Sequence, residues 1–402
     1  MNRKLWPAVL LAVALTATGC ANTIAGTPGP GMTPVDMSGL RTGAQATEPT
    51  EYEMHTVDGA KDVRLVEARR MLNFLVHPFD VDSEISTLGF VRLIVDPYSM
   101  TADGAFPEAY RPVAEKFDIV AGAYVSRTNG SLRNTKKLII STLRFPTEAA
   151  SRGAVEEFDR VAREQGERHP VPVTGYPDAH SSSGDDRAVL SFQAHGPYVV
   201  VTNAGVPQPD PGALGELVRK TLDKQLPALD AQQPIPLDDV LDLPIDPDGI
   251  MRRAAPTATD YTDPFFDKKD FGPFEPEGVL HFERNPVRVR QAFESGGVDL
   301  VGRRASTVYR TRDLAASFAL QNALVIADRN DEEMDPPPGL PDVRCLLLDQ
   351  RDDNRQYNDF CVVVYGRYVA VVYSSKFDAT GSDQRLMERT AAQYEILAKS
   401  DG

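Results

Sequence analysis

The feature that most narrows what this chain can fold into is an order of elements that occurs twice. In the first half, the strand-like run 137–145 leads to Thr147, placed as an N-cap, and then to a helix with Val155, Phe158 and Val161 on one face. Residues 188–192, the turn His195-Gly196-Pro197 and residues 198–201 follow. Asp210-Pro211 then offers an N-cap and an N1 proline for a helix bearing Leu214, Leu217, Val218 and Leu222. In the second half, residues 306–310 lead to Thr311 as N-cap and a helix with Leu314, Phe318 and Leu324. Two strands, 345–348 and 360–364, come next, then the turn Tyr365-Gly366-Arg367, residues 368–372, and a closing helix with Leu386, Met387, Thr390, Ala391 and Tyr394. Gly-x-Tyr-Val-x-Val occurs at both Gly196 and Gly366. A further strand stands before each unit. Residues 119–125 are set to pair with 137–145 across Asn129-Gly130, and 298–302 with 305–310 through Arg303-Arg304. Each half therefore reads β-β-α-β-β-α. The expected fold is α+β, two similar domains made by duplication, each an antiparallel sheet packed by helices.

The remaining boundaries follow from composition. Residues 59–230 form the first domain and 277–400 the second, with a Pro/Asp-rich linker, 231–276, wrapping a domain surface between them. Residues 63–75 carry helical periodicity that Pro78 ends. Residues 20–58, rich in Gly, Pro and Thr, read as a flexible tether. Residues 1–19 read as a signal peptide: Arg3 and Lys4, an apolar stretch too short to span a bilayer, and Leu15-Thr16-Ala17-Thr18-Gly19-Cys20. The expected product starts at Cys20, carries lipid on its sulfur and sits on the extracytoplasmic face of the cell membrane. A conventional cut without lipid is the alternative, because Ala17 stands where a leucine is more usual.

Charge and cysteine content limit partners and chemistry. The formal charge of −15 becomes −17 once Arg3 and Lys4 leave with the leader, which argues against nucleic acid and against direct attraction to anionic headgroups. Besides Cys20 only Cys345 and Cys361 are present. In an oxidising compartment they form a disulfide, a loop worth ~3 kcal/mol in the chain-entropy account. Two buried thiols are the other reading. With no CxxC partner or nearby histidine, the pair is a poor metal site.

The leader, the acidic tether, Glu67-Ala68-Arg69-Arg70-Met71 and Ser306-Thr307-Val308-Tyr309-Arg310 before a helix together resemble an actinobacterial cell-envelope lipoprotein family of unknown function. The resemblance implies an envelope location and a two-domain architecture, and it carries over no catalytic residue. A looser likeness joins the cysteine-bearing half to the extracellular sensor domains of mycobacterial receptor kinases, which implies a binding role.

Searches for chemistry leave no catalytic, metal or cofactor assignment. No Gly-x-Ser-x-Gly elbow or Ser-x-x-Lys set is present, and the six histidines show neither HExxH nor HxH spacing. Asp178, His180, Asp185 and Asp186 around Ser181-Ser182-Ser183-Gly184 form the most suggestive cluster, either a cation or general-base site or a solvated hairpin loop. Asp246-Pro247-Asp248-Gly249 resembles half a calcium loop, but the twelfth position is Thr257. Tyr261, Phe265, Phe266, Phe271 and Phe274 either line an apolar groove or pin the linker onto a domain. The expected function is non-catalytic binding, with a protein, lipid or glycan of the envelope as ligand. An envelope hydrolase of unrecognised type, using His180 and its acids, is the alternative.

Overall fold

Strand residues alternate between two buried faces, and that alternation sets the architecture. In the computed structural model, the described residues are 31–53, 60–232, 234–240, 242–257, 270–352, 357–374 and 383–400. The first half runs α1 (Ala60–Leu72), α2 (Pro78–Val81), β1 (Thr87–Ile94), α3 (Pro97–Thr101), α4 (Arg111–Lys116), β2 (Ala121–Thr128), β3 (Lys137–Arg144) and α5 (Glu148–Glu164). It continues with β4 (His169–Pro170), β5 (His180–Ser183), β6 (Ala188–His195), β7 (Tyr198–Gly205) and α6 (Pro211–Asp230). Its antiparallel sheet has the order β1-β2-β3-β7-β6-β5-β4.

The second half runs α7 (Leu237–Val240), β8 (Gly272–Phe274), α8 (Pro276–Leu280), α9 (Pro286–Gly296), β9 (Leu300–Arg303), β10 (Ser306–Arg310) and α10 (Leu314–Leu324). After these come β11 (Glu332–Met334), β12 (Arg344–Asp352), β13 (Tyr357–Tyr365), β14 (Tyr368–Ser374) and α11 (Gln384–Lys399). Its sheet, β8-β9-β10-β14-β13-β12-β11, repeats the first strand for strand. The duplicated unit is thus longer than the pattern in the sequence. Edge strands β1 and β8, the helices after them, and the outer strands β4, β5 and β11 belong to it as well. Strands β4, β8 and β11 are too short to carry a periodic signal, and the alternation of the eight-residue β1 is broken by a register shift between Leu88 and Val91.

The two sheets join through faces that are not equivalent. Leu138, Ile140 and Val200 of the first sheet turn toward α6, while Leu143, Val199 and Val201 turn toward α5 with Phe158 and Phe192. In the second sheet Val362, Val364 and Val371 turn toward α9 and α10, whereas Val363, Ala370 and Val372 turn toward α11. One continuous core therefore links the α6 side of the first domain to the α10 side of the second. Helix α1 lies in this junction against β1, β2, β8 and α8.

Local signals place most helix starts. Thr147 caps α5 through the Ala150 N–H, and Asp210 caps α6 with Pro211 at N1. At α10 the cap is Asp313 and not Thr311, whose hydroxyl donates to the Arg367 carbonyl. Helix α1 ends at Leu72, and Pro78 opens α2 instead of ending α1. Proline is favoured where an N–H would be unbonded anyway.

Two segments expected to be extended are packed. By composition residues 31–53 belong to a flexible tether, yet they strap the outer face of the second domain. The Thr33 N–H and hydroxyl both donate to Asp342, the Gly366 N–H meets Met32 Sδ at 3.2 Å, and Arg304 donates to Thr50. Val35, Leu40 and Tyr52 pack against the core there. A few apolar residues suffice once a hydrophobic face is available, and composition averaged over the segment hides them. Likewise Ile250, Met251 and Ala254, assigned to the linker, are buried in the second domain, and β8 joins its sheet. The second domain accordingly begins near residue 250.

Candidate functional site

Among the described residues, strand β1 is the last strand of the first sheet, on the side that meets the second domain. Between them lies a cleft of ≈ 910 Å³, bordered by Ser86, Thr87 and Leu88 on one side and by α9, residues 326–331 and β12 on the other. Arg284 builds the far wall by donating to Asp331 (2.9 Å) and to the Ile326 carbonyl (2.6 Å). Asp331 in turn accepts from the Asp328 and Asp349 N–H groups. Burial would raise its carboxyl, but these N–H groups and the Arg284 guanidinium hold it below the usual range. Arg288, Gln291 and Arg329 line the cleft as exposed side chains. Planar hydrogen-bonding groups beside Leu88, Val287 and Leu348 suit an extended polar ligand.

Next to this cleft a smaller recess reaches the buried end of the second sheet. There the Tyr309 hydroxyl donates to Glu283 Oε1 at 2.6 Å, and Arg303 stacks over Phe282 at 3.7 Å. Burial first, and the Glu283 carboxylate second, push the Tyr309 phenol well above its ordinary range. The Tyr309 hydroxyl and the Glu283 carboxylate thus hold each other in place at this recess.

The domain junction holds a second polar constellation. His77 and His281, one from each domain, stack with ring centroids 3.8 Å apart, and both are buried. His77 Nε2 lies 3.1 Å from Glu277, which also accepts from Arg290, itself paired with Asp80. His281 Nε2 lies 3.1 and 3.0 Å from the Leu72 and Leu75 carbonyls, which makes it the protonated nitrogen of a neutral ring. Burial lowers both histidines well below 6.5; Arg290 and Arg127 add to this for His77, and His77 and Arg127 for His281. Unfolding frees both rings to bind protons near pH 6.5, so their contribution is complete above that pH and is lost as the pH falls through it. Asp359, pushed up to about 7 by burial and by Asp383, works in the opposite sense. The expected result is that wild-type Tm falls between pH 7 and 5 more steeply than the Tm of His281→Gln. Parallel curves would refute the assignment.

The residues singled out from sequence are dispersed. His180 Nδ1 lies 3.3 Å from Asp159, His169 lies 2.7 Å from Asp186, and Asp185 accepts the N–H groups of Arg187 and Ala188. The cluster is thus a hairpin turn whose acids serve separate partners, and Asp178 joins none of these contacts. Among the described residues no group of three or more His, Cys, Asp or Glu could hold a metal ion, and no helix is long and apolar enough to cross a membrane. Asp248 pairs with Arg310 at 2.7 Å. Cys345 and Cys361 stand directly opposite on β12 and β13 and are disulfide-bonded, facing the α11 side. Phe274 packs against Phe282 in the junction. Tyr261, Phe265, Phe266, the leader and Cys20 lie outside the described residues. Arg288, Gln291 and Arg329 gave no warning in the sequence, where they look like ordinary surface residues of a helix and a loop.

Comparison with known proteins adds the following. The chain resembles the crystal structure of the extracellular domain of PknH from Mycobacterium tuberculosis at 16% identity and a TM-score of 0.27, over 39% of this chain and 95% of that one. No curated protein matches the sequence. Two family models do, described as Domain of unknown function (DUF7373) N-terminal over residues 54–245 and C-terminal over residues 250–400.

Proposed function

For a chain that belongs to the two-domain DUF7373 family, we propose a binding function: a lipid-anchored protein of the cell envelope that takes an extended polar ligand in the cleft between its domains. The observation that carries this reading is the ≈ 910 Å³ cleft itself, set between the start of β1 and a wall of arginine, aspartate and amide side chains. Ligand sites concentrate at such domain boundaries. The extracytoplasmic location and the lipid on Cys20 are supported by the basic, apolar and small-residue order of residues 1–20.

The test is titration calorimetry of the mature protein with cell-wall glycopeptides, oligosaccharides and extended peptides, beside the double variant Arg288→Ala/Arg329→Ala. A charge-assisted hydrogen bond contributes ~1.5–3 kcal/mol, so the variant should bind at least about tenfold more weakly and fold as before. Saturable binding that ignores the variant would move the site elsewhere. Absence of binding across all three ligand classes, or catalytic turnover of one of them, would overturn the reading.

A further inference from the structure

The molecule holds a second pocket, of ≈ 260 Å³, that shares no lining residue with the cleft. Val66, Arg69 and Arg70 of α1, with Asn73 just past its end, recur at helical spacing and form its floor. The stretch 243–247 forms one wall. Pro244 and Pro247 have no N–H to donate to a sheet, and with Ile245 between them they present an apolar surface. Asp246, the one acid in this stretch, turns away to accept the Met251 N–H at 2.6 Å. Pro273 and Phe274 of β8, the terminal strand of the second sheet, close the other side.

The cations beside this pocket are already engaged. Arg70 donates twice to Glu67, and its guanidinium lies over the Phe74 ring at 5.1 Å. Arg69 donates to the Phe271 carbonyl. Glu275 adds an exposed carboxylate at the rim, which opposes an anionic ligand. What is left unsatisfied is neutral: the Asn73 Oδ1 is buried and, among the described residues, has no hydrogen-bond partner. A hydroxyl both donates and accepts, so it satisfies the Asn73 amide whichever end faces the pocket. An apolar cavity of ~150 Å³ takes up benzene, so ≈ 260 Å³ has room for about ten carbons.

We propose that this pocket binds a small uncharged amphiphile: one aliphatic chain among Val66, Ile245 and Phe274, ending in a hydroxyl that meets Asn73. The proposal does not depend on what fills the cleft. The test is fluorescence titration of the mature protein with N-phenylnaphthylamine, an uncharged apolar dye, followed by displacement. Decanol should displace the dye from a single site, decanoate should need several-fold higher concentrations, and dihexanoyl phosphatidylcholine, a soluble two-chain lipid, should leave it bound. Val66→Trp fills the pocket and should remove binding. Ile245→Asp, at an exposed position that tolerates charge, should weaken the dye and decanol about tenfold, the worth of one apolar side chain of the lining. Asn73→Leu should weaken decanol and not the dye, and Arg288→Ala/Arg329→Ala should change neither. Failure of the dye to bind, or binding that survives both Val66→Trp and Ile245→Asp, would overturn the site. Decanoate or the two-chain lipid competing as well as decanol, or decanol indifferent to Asn73→Leu, would overturn the ligand class.

Discussion

Arg127→Ala is expected to destabilise the protein by about 3–5 kcal/mol, because it leaves buried carbonyl groups without their charged donor at about 1–3 kcal/mol each. Arg127 sits on β2 in the first domain with no exposed surface. Its guanidinium donates to the Ser86 carbonyl at 2.7 Å, and across the junction to the carbonyls of Leu280, His281 and Glu283 at 3.4, 3.0 and 3.2 Å. The Leu280 carbonyl also accepts the Glu283 N–H, but among the described hydrogen bonds those of His281 and Glu283 depend on Arg127, and each such loss costs ~1–3 kcal/mol. Truncation also removes the guanidinium from above the Phe79 ring. Urea unfolding monitored by circular dichroism measures the loss, and hydrogen exchange in residues 280–283 should quicken first. A loss below about 1 kcal/mol would show that water replaces the guanidinium and that the junction does not depend on it.

Glu67→Ala should cost a similar ~3–5 kcal/mol for the mirror-image reason, two guanidinium groups left without their carboxylate. Glu67 is wholly buried on α1. It accepts from Arg70 at 2.8 and 3.0 Å and from Arg144 of β3 at 2.8 Å, while Arg144 also donates to the Ile235 carbonyl. One carboxylate thus fixes α1, the first sheet and the segment leaving α6. The companion variant Glu67→Ala/Arg144→Met separates uncompensated charge from lost packing, because it removes one of the two stranded cations. It should be more stable than Glu67→Ala alone. If the two variants unfold at the same denaturant concentration, the cost comes from packing and the electrostatic account fails.

Much of the architecture was legible along the chain. Alternating apolar runs such as 137–145 and 368–372, the caps Thr147 and Asp210, and the repeated Gly-x-Tyr-Val-x-Val identify the inner strands and principal helices, since each depends on neighbours a few residues away. The edges escaped for a physical reason. Strands β4, β8 and β11 have two or three residues each, too few to establish a period. The candidate site was less legible still. The Asp178–Asp186 region drew notice because its polar residues are adjacent in sequence, yet His180 and Asp186 serve different partners. The cleft draws on Ser86, Arg288 and Arg329, three segments with no common motif.

The sequence by itself determined the α+β class, the duplication and the pairing of most inner strands, because hydrophobic period, turn chemistry and capping act over short distances along the backbone. Tertiary structure alone decided which faces of the two repeats meet, that residues 31–53 lie down on the second domain, and where the cleft opens. Those outcomes depend on the shape and charge of surfaces assembled from distant segments.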